Sequence, residues 1–345
     1  MWRKIVKKTV GFLIKAAIAG CLAIAILSVL NIPYFYTGIH IDNGTGATDY
    51  IWESGQIRTN MTEGYAWLTM DKYGFNNTDE NAEKAMRDGV DILLMGSSHM
   101  EAMEVAEDEN LGYLLNERLN DKNTYNIGIS GHNIYRIMDN VSNAVKTYEP
   151  KDYVIIETSA IELDEAKMMA VVDGTAKKIP SYDSGIVYQM QKIPAIKWIY
   201  KSIEEWMSQS KGSIGNLKAV FAAESEADKV SDSYVETLHV FLNKCVQACK
   251  ETGCTPVIFY HQQADIQADG TINCNTDEDY LEIFTEVCKE QGILFVDMTD
   301  ALIEGFEKEH ILPHGFINTY VGSGHINAYG HKMVLDELTE VLYKE

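Results

Sequence analysis

A chain of 345 residues with 51 acidic against 29 basic side chains, net −22 at neutral pH, is repelled at long range by polyanions, which argues against a nucleic-acid partner. The imbalance is uneven: the first forty residues hold five basic and no acidic side chains, so the remainder holds 24 against 51, a net of about −27. About 300 residues then remain for folding, enough for one α/β domain with an insertion. An acidic surface also serves solubility alone, and an anionic polymer as substrate would need divalent cations or a local pocket to offset the repulsion.

Residues 1–40 read as a basic tip and a membrane anchor. Arg3, Lys4, Lys7 and Lys8 precede an apolar stretch that carries no charge from Ala16 to Tyr36, long enough to cross a hydrocarbon core of roughly 30 Å as a helix. Lys15 can snorkel toward the basic cluster, and Tyr34, Phe35 and Tyr36 form an aromatic belt on the far side. The basic cluster predicts a cytoplasmic N-terminus and an extracytoplasmic remainder, in a single-pass protein of the cell membrane. The competing reading is a cleaved lipoprotein signal at Ile18-Ala-Gly-Cys21. It is disfavoured because the chain stays apolar to Leu30, where a lipoprotein needs a polar tether.

Residues 41–90 form a lead-in packed on the core, with turn chemistry at Asp71–Asn77 and a strand at Gly64–Met70, expected as an edge strand near the active face. From Asp91 onward, short apolar strands alternate with helical patterns. Strands are predicted at 92–95, 125–129, 153–156, 256–260 and 293–296, with helices at 133–147, 232–251 and 280–291. This pattern predicts an α/β fold: a three-layer, flavodoxin-like α/β/α sandwich around a mainly parallel five-stranded sheet. The alternation breaks over about 163–230, which reads as a helical insertion in the 91–345 domain. Its Ile193–Tyr200 and Ile203–Met207 stretches suit a cap or an interfacial helix, although Glu204 and Glu205 favour ordinary packing on the sheet.

Five cysteines lie outside the apolar span, and no four-ligand spacing appears, so no structural zinc is expected. Cys245 and Cys249, one helical turn apart, read as an apolar helix face before they read as a metal pair or disulfide donors.

Three short stretches carry the chemistry. Asp91–Ala102, DILLMGSSHMEA, is a buried strand ending at a Gly-Ser-Ser turn, which presents a serine at the carboxyl edge of the sheet where ligands bind. The same turn would also suit a plain helix N-cap. Asn126–His132 reads NIGISGH, and Gly322–His331, GSGHINAYGH, immediately precedes a helical pattern. In order and spacing these stretches resemble the SGNH/GDSL hydrolase superfamily, in a membrane-anchored extracytoplasmic form, over roughly residues 88–345.

The resemblance implies that Ser98 is the nucleophile and His325 the general base. The oxyanion hole falls to the Ser98 and Gly131 N–H groups, with Gly128 as the alternative to Gly131. Two departures stand out. The acid expected three residues before the His is Gly322, so Asp297, Asp300 or a backbone carbonyl must orient the imidazole, or a bare Ser-His dyad must suffice. The asparagine expected after the third strand is absent, leaving Thr158 or Ser159 as donors; a lost oxyanion donor typically costs about two orders of magnitude in rate. His261 and His314 are loop histidines able to line a pocket, and His99 is expected to point away from the nucleophile. No metal site and no cofactor is expected.

The resemblance implies a serine esterase or O-acyltransferase acting on O-acyl, chiefly O-acetyl, groups of cell-surface polysaccharide or peptidoglycan. Its partners would be that glycan, the membrane and a membrane acyltransferase. D-alanyl or other acyl transfer to wall polymer is the alternative within the enzyme class. A non-catalytic glycan-binding scaffold is the alternative outside it.

Overall fold

The computed structural model describes residues 2–29, 40–60, 63–177, 230–267, 269–274, 276–319 and 322–343. Helix α1 (Trp2–Val29) starts within the basic cluster, and its Lys7–Ile26 segment, mean hydropathy 2.2, has the length and apolarity of a membrane span. The aromatic belt at 34–36 and the stretches at 193–200 and 203–207 lie outside the described residues.

His40–Ser181 and Ala227–Glu345 form one compact unit. It opens with two antiparallel pairs, β1 (His40–Asp42) with β2 (Tyr50–Trp52) and β3 (Ile57–Asn60) with β4 (Ala66–Thr69). There follow α2 (Asp79–Asp88), β5 (Ile92–Met95), the one-turn α3 (Ser98–Glu101), α4 (Leu111–Arg118), β6 (Thr124–Asn126), α5 (Ile134–Tyr148), β7 (Tyr153–Thr158) and α6 (Glu165–Val172). From residue 232 onward come α7 (Asp232–Thr252), β8 (Thr255–Tyr260), the small pair β9 (Ala264–Ile266) and β10 (Ile272–Cys274), α8 (Glu278–Gln291), β11 (Leu294–Asp297), α9 (Thr299–Glu309) and α10 (Ala328–Leu342).

Strands β5, β6, β7, β8 and β11 make the central parallel sheet, in the order β11-β8-β7-β5-β6. Their residues alternate between two cores. Leu93, Met95, Val154, Ile156 and Ile258 meet Ile137 and Val141 of α5 and Leu238, Phe241 and Cys245 of α7 on one face. Ile92, Leu94, Ile155, Val257 and Val296 meet Leu115 of α4 and Val334, Leu335 and Leu338 of α10 on the other. Covering on both faces is what makes these strands read as unbroken apolar runs. Strand β6 ends at Asn126, short of the expected 129. The Asn126 side chain is drawn into the turn, donating to Met100 O (2.7 Å) and accepting from Gly128 N–H (2.8 Å).

The lead-in differs from expectation. Its 66–69 strand joins β3 and not the edge of the central sheet. Ala66 and Leu68 face inward and Tyr65 and Trp67 outward, so the pair lies as a flap whose inner side, with Tyr50, Trp52, Met70 and Phe75, belongs to the main core. Cys245 and Cys249 are thiols that lie on the buried face of α7.

Candidate active site

Strand β5 delivers Ser98 to the carboxyl edge of the sheet. A side chain at Gly96 would meet Glu157 Oε2 at 2.8 Å, so the chain turns there only as glycine. Ser97 caps the next turn, its Oγ accepting from His99 N–H (3.2 Å) while its own N–H donates to Glu157 Oε2 (2.6 Å). Ser98 opens α3, and its amide, the first of the turn, has no partner within the helix.

His325 sits on the loop ahead of α10. An antiparallel bridge between His314 and Ile326, with Gly315 N–H on His325 O (2.9 Å), holds the loop to itself. Asn327 then caps α10 by accepting from Tyr329 and Gly330 N–H. This loop sets His325 Nε2 at 2.8 Å from Ser98 Oγ.

The group that orients His325 is one sequence reasoning missed. Glu63, just before β4, meets His325 Nδ1 with Oε2 (2.6 Å) and accepts the His325 N–H with Oε1 (2.6 Å). The neighbouring peptide is clamped by Asn318, which accepts from Gly64 N–H and donates to Gly64 O, both at 2.9 Å. Gly324, at φ +102°, leaves room for the carboxylate, because a Cβ there would collide with Glu63 Oε1. Asp297 and Asp300 do not take this role: Asp297 Oδ1 accepts from Thr299 N–H and Oγ–H at the start of α9, and Asp300 lies in that helix's first turn. A glutamate before a glycine in a polar lead-in carries no catalytic signature, so nothing local marked it.

Two further buried carboxyls surround the imidazole. Glu104 Oε1 lies 3.7 Å from His325 Nδ1. Burial, reinforced by Glu101 and Glu63, pushes Glu104 up to about 7. Burial alone would lower His325, but the hydrogen bond it donates to Glu63 and the charges of Glu104, Glu63 and Glu101 outweigh it and raise it above the usual histidine value. Glu63 moves the other way, held below the usual carboxylate range by its two bonds to His325 against its own burial. Arg58, stacked on Trp52 at 3.5 Å, supplies positive charge beside Glu101 and Glu104.

Of the two glycines proposed for the oxyanion hole, Gly128 spends its N–H on Asn126 Oδ1 (2.8 Å). Gly131, at φ +84°, has its amide in no hydrogen bond among the described residues. The loop bearing it is pinned by lead-in side chains. Glu101 accepts from Ser130 N–H (2.9 Å), from Ser130 Oγ–H and from Trp52 Nε1–H, while Tyr50 Oη–H donates to Ser130 O. Asp49 engages His132 (3.2 Å) and Arg136 (2.9 Å) just beyond. Thr158 is not available as a second donor, since its hydroxyl is buried and donates to Ala160 O (2.8 Å). Ser159 is exposed and lines cavities on either side, one with His99 and His261 and one with Ser97 and His132.

The other histidines depart from expectation. His261 and His314 are not surface loop residues but are 1% and 2% exposed, and His99 stays close to the site, its ring 5.1 Å from that of His325. Among the described residues, His99, His261 and His314 are the group with metal-ligating spacing. Next to Glu63, an open cavity of about 420 Å³ is lined by Gly64, Tyr65, Phe316, Ile317, Ala328 and Tyr329, among others. A hydroxyl, an imidazole and a carboxylate hydrogen-bonded in series can activate the hydroxyl as a nucleophile.

No protein-family model and no curated protein sequence matches the chain. Solved structures similar to it include one described as TesA, with 14% identity over 73% of this chain and 97% of that one, at a TM-score of 0.36. The acetyl xylan esterase AlAXEase is similar at 13% identity over 72% and 98%, TM-score 0.40. The psychrotrophic esterase EstA from a Pseudoalteromonas species is similar at 14% over 73% and 96%, TM-score 0.38.

Proposed function

We propose that the protein is a serine ester hydrolase or O-acyltransferase of SGNH type. The observation that carries this reading is the unbroken chain Ser98 Oγ–His325 Nε2 (2.8 Å) and His325 Nδ1–Glu63 Oε2 (2.6 Å). His325 takes the proton of Ser98 as its oxygen bonds to the ester carbonyl carbon, while Glu63 stays ionised, fixes the tautomer and stabilises the imidazolium. The Ser98 and Gly131 N–H groups receive the developing oxyanion. Collapse of the tetrahedral species breaks the bond to the alcohol, which leaves with the proton from His325, and an acyl-Ser98 ester remains. Water or an acceptor hydroxyl then gives its proton to His325, attacks the acyl carbon and frees Ser98.

The substrate proposed is an O-acyl, chiefly O-acetyl, group on an extracytoplasmic glycan, reached from a membrane anchored through α1. Exposed Tyr65, which lines the 420 Å³ cavity, suits stacking against a sugar ring. D-alanyl or other acyl transfer to wall polymer uses the same acyl-Ser98 and differs only in acyl group and acceptor. A scaffold without turnover is the weaker reading, since the acid that the motif lacks at Gly322 is supplied by Glu63.

A fluorophosphonate probe tests this on the full chain in detergent micelles. Labelling of the wild type, with loss of labelling in both Ser98→Ala and His325→Ala, is the expected result. A folded wild type that neither labels nor hydrolyses p-nitrophenyl acetate between pH 6 and 9 (roughly the range in which a histidine base works) would overturn it.

A further inference from the structure

Behind the Ser98–His325 pair lies a second group of imidazoles that the ester chemistry does not use. One ring nitrogen from each of His99, His261 and His314 lies within 4.8 Å of the other two. His261 Nδ1 and His314 Nε2 are 3.2 Å apart. Two nitrogens bound to one zinc at about 2.0–2.1 Å and the tetrahedral angle stand roughly 3.3–3.4 Å apart, so this pair is already spaced as ligands. The rings of His99 and His261 meet edge to face at 4.6 Å, which brings the third imidazole to the same point.

The surroundings are those of a ligand set. Glu157, buried at the end of β7, bonds His261 Nε2 at 3.0 Å, which puts the His261 proton on Nε2 and leaves Nδ1 bare toward His314. The same carboxylate takes the Ser97 N–H, so it is fixed from both sides. With His261 Nδ1 bare, the contact between them is donated by His314 Nε2–H, so ligation would move the His314 proton to Nδ1, which is buried with no hydrogen-bond partner. His99 Nδ1 accepts a long bond of 3.3 Å from Ile326 N–H, leaving Nε2 as its ligand atom; ligation would move the His99 proton to Nδ1 and give up that bond.

We propose that His99, His261 and His314 form a site for a divalent first-row transition metal, zinc by preference, with its fourth position open. Three imidazoles without a carboxylate in direct reach suit zinc and its neighbours, not magnesium or calcium. His99 and His261 line a cavity of about 280 Å³ with Ser159, Gln262 and Gln263, so the open position faces space for water or for a substrate hydroxyl or carboxylate. A cation there also supplies local positive charge in a domain whose net charge would otherwise repel an anionic glycan.

The test uses the full chain in detergent, carrying no histidine tag and freed of metal by chelator, titrated with Co²⁺ and followed by visible absorption. One equivalent giving the intense bands of a four-coordinate site, displaced by Zn²⁺, is expected. His261→Gln and His314→Gln should abolish those bands, and Glu157→Gln should weaken affinity about 10- to 100-fold. Ser98→Ala should bind as the wild type does, which separates this site from the ester chemistry. A folded wild type with no saturable one-equivalent signal, or a His314→Gln variant that keeps it, overturns the proposal and leaves the imidazoles as a structural hydrogen-bonded chain. If the glutamine variants do not fold, long-range ¹H–¹⁵N spectra of the wild-type imidazoles decide. Shifts of three ring systems with one equivalent of Zn²⁺ sustain the site, and unmoved resonances overturn it.

Discussion

Glu63 holds His325 by two hydrogen bonds, one to the ring and one to the backbone, and the two fail separately on substitution. Glu63→Gln keeps the shape but removes the charge that stabilises the imidazolium, so kcat/KM for p-nitrophenyl acetate should fall about 10²- to 10⁴-fold. Because His325 is raised in the native protein and acts as base only when neutral, wild-type activity should fall as pH drops through that raised value. In Glu63→Gln this acid limb should move to lower pH; an unmoved limb would show that Glu63 does not set the basicity of His325. Glu104→Gln should shift the limb the same way with a smaller loss of rate, since Glu104 lies farther from Nδ1. Stability adds a second reading of Glu104. With a folded-state value raised to about 7 from 4.5, the native state retains a proton that the unfolded chain has released. This contribution therefore erodes stability as pH rises from about 4.5 to 7, by on the order of 3 kcal/mol. Glu104→Gln should melt higher than the wild type at pH 8 and level with it near pH 4, and equal melting at both would refute the assignment. Asn318→Ala should lower kcat/KM about 10- to 100-fold by freeing the Glu63–Gly64 peptide, while Ser98 remains able to react with a fluorophosphonate, only more slowly.

Elements divide the labour between support and chemistry. Helix α7 is support: Phe241 is fully buried between it and the sheet, and Phe241→Ala should cost about 3–5 kcal/mol in denaturant unfolding with the m-value retained. A cost below about 1 kcal/mol would place the core elsewhere. The lead-in pairs carry chemistry through side chains of high sequence separation: Glu63, between β3 and β4, reaches His325 on the loop ahead of α10, and Trp52 of β2 reaches Glu101 of α3. The central strands were legible because burial on both faces imposes a local apolar run. The placement of β4 was not, because a four-residue amphipathic strand pairs equally well with a sheet edge or with a neighbour, and only tertiary packing chooses. Ser98 and His325 stood out because the turn and cap sequences around them are local, whereas the network that shapes the loop before Gly131, through Ser130, Asn126 and Glu101, joins residues 26 to 80 positions apart.

At the scale of the whole molecule, α1 and the acidic compact unit make opposite demands. The Lys7–Ile26 segment should keep the full chain in the membrane fraction through alkaline carbonate washing, and release by that wash would refute an anchor. The acidic surface should make a polyanionic ester a poorer substrate than a neutral one of equal size, with the gap narrowing as salt rises toward about 0.5 M. A ratio insensitive to salt would show that the long-range field does not reach the site.

Local sequence determined what depends on near neighbours: an apolar run long enough to cross a membrane, five strands buried on both faces, and the serine and histidine turns at one end of the sheet. Only tertiary structure decided what depends on distant segments meeting. Glu63 became the partner of His325 because Asn318 and Gly324 shape a niche for it, and His99, His261 and His314 became neighbours because the ends of β5 and β8 and the loop before α10 converge. Carboxylates and lone histidines look alike along a chain; their chemistry is set by which buried groups surround them, and that is a property of the fold.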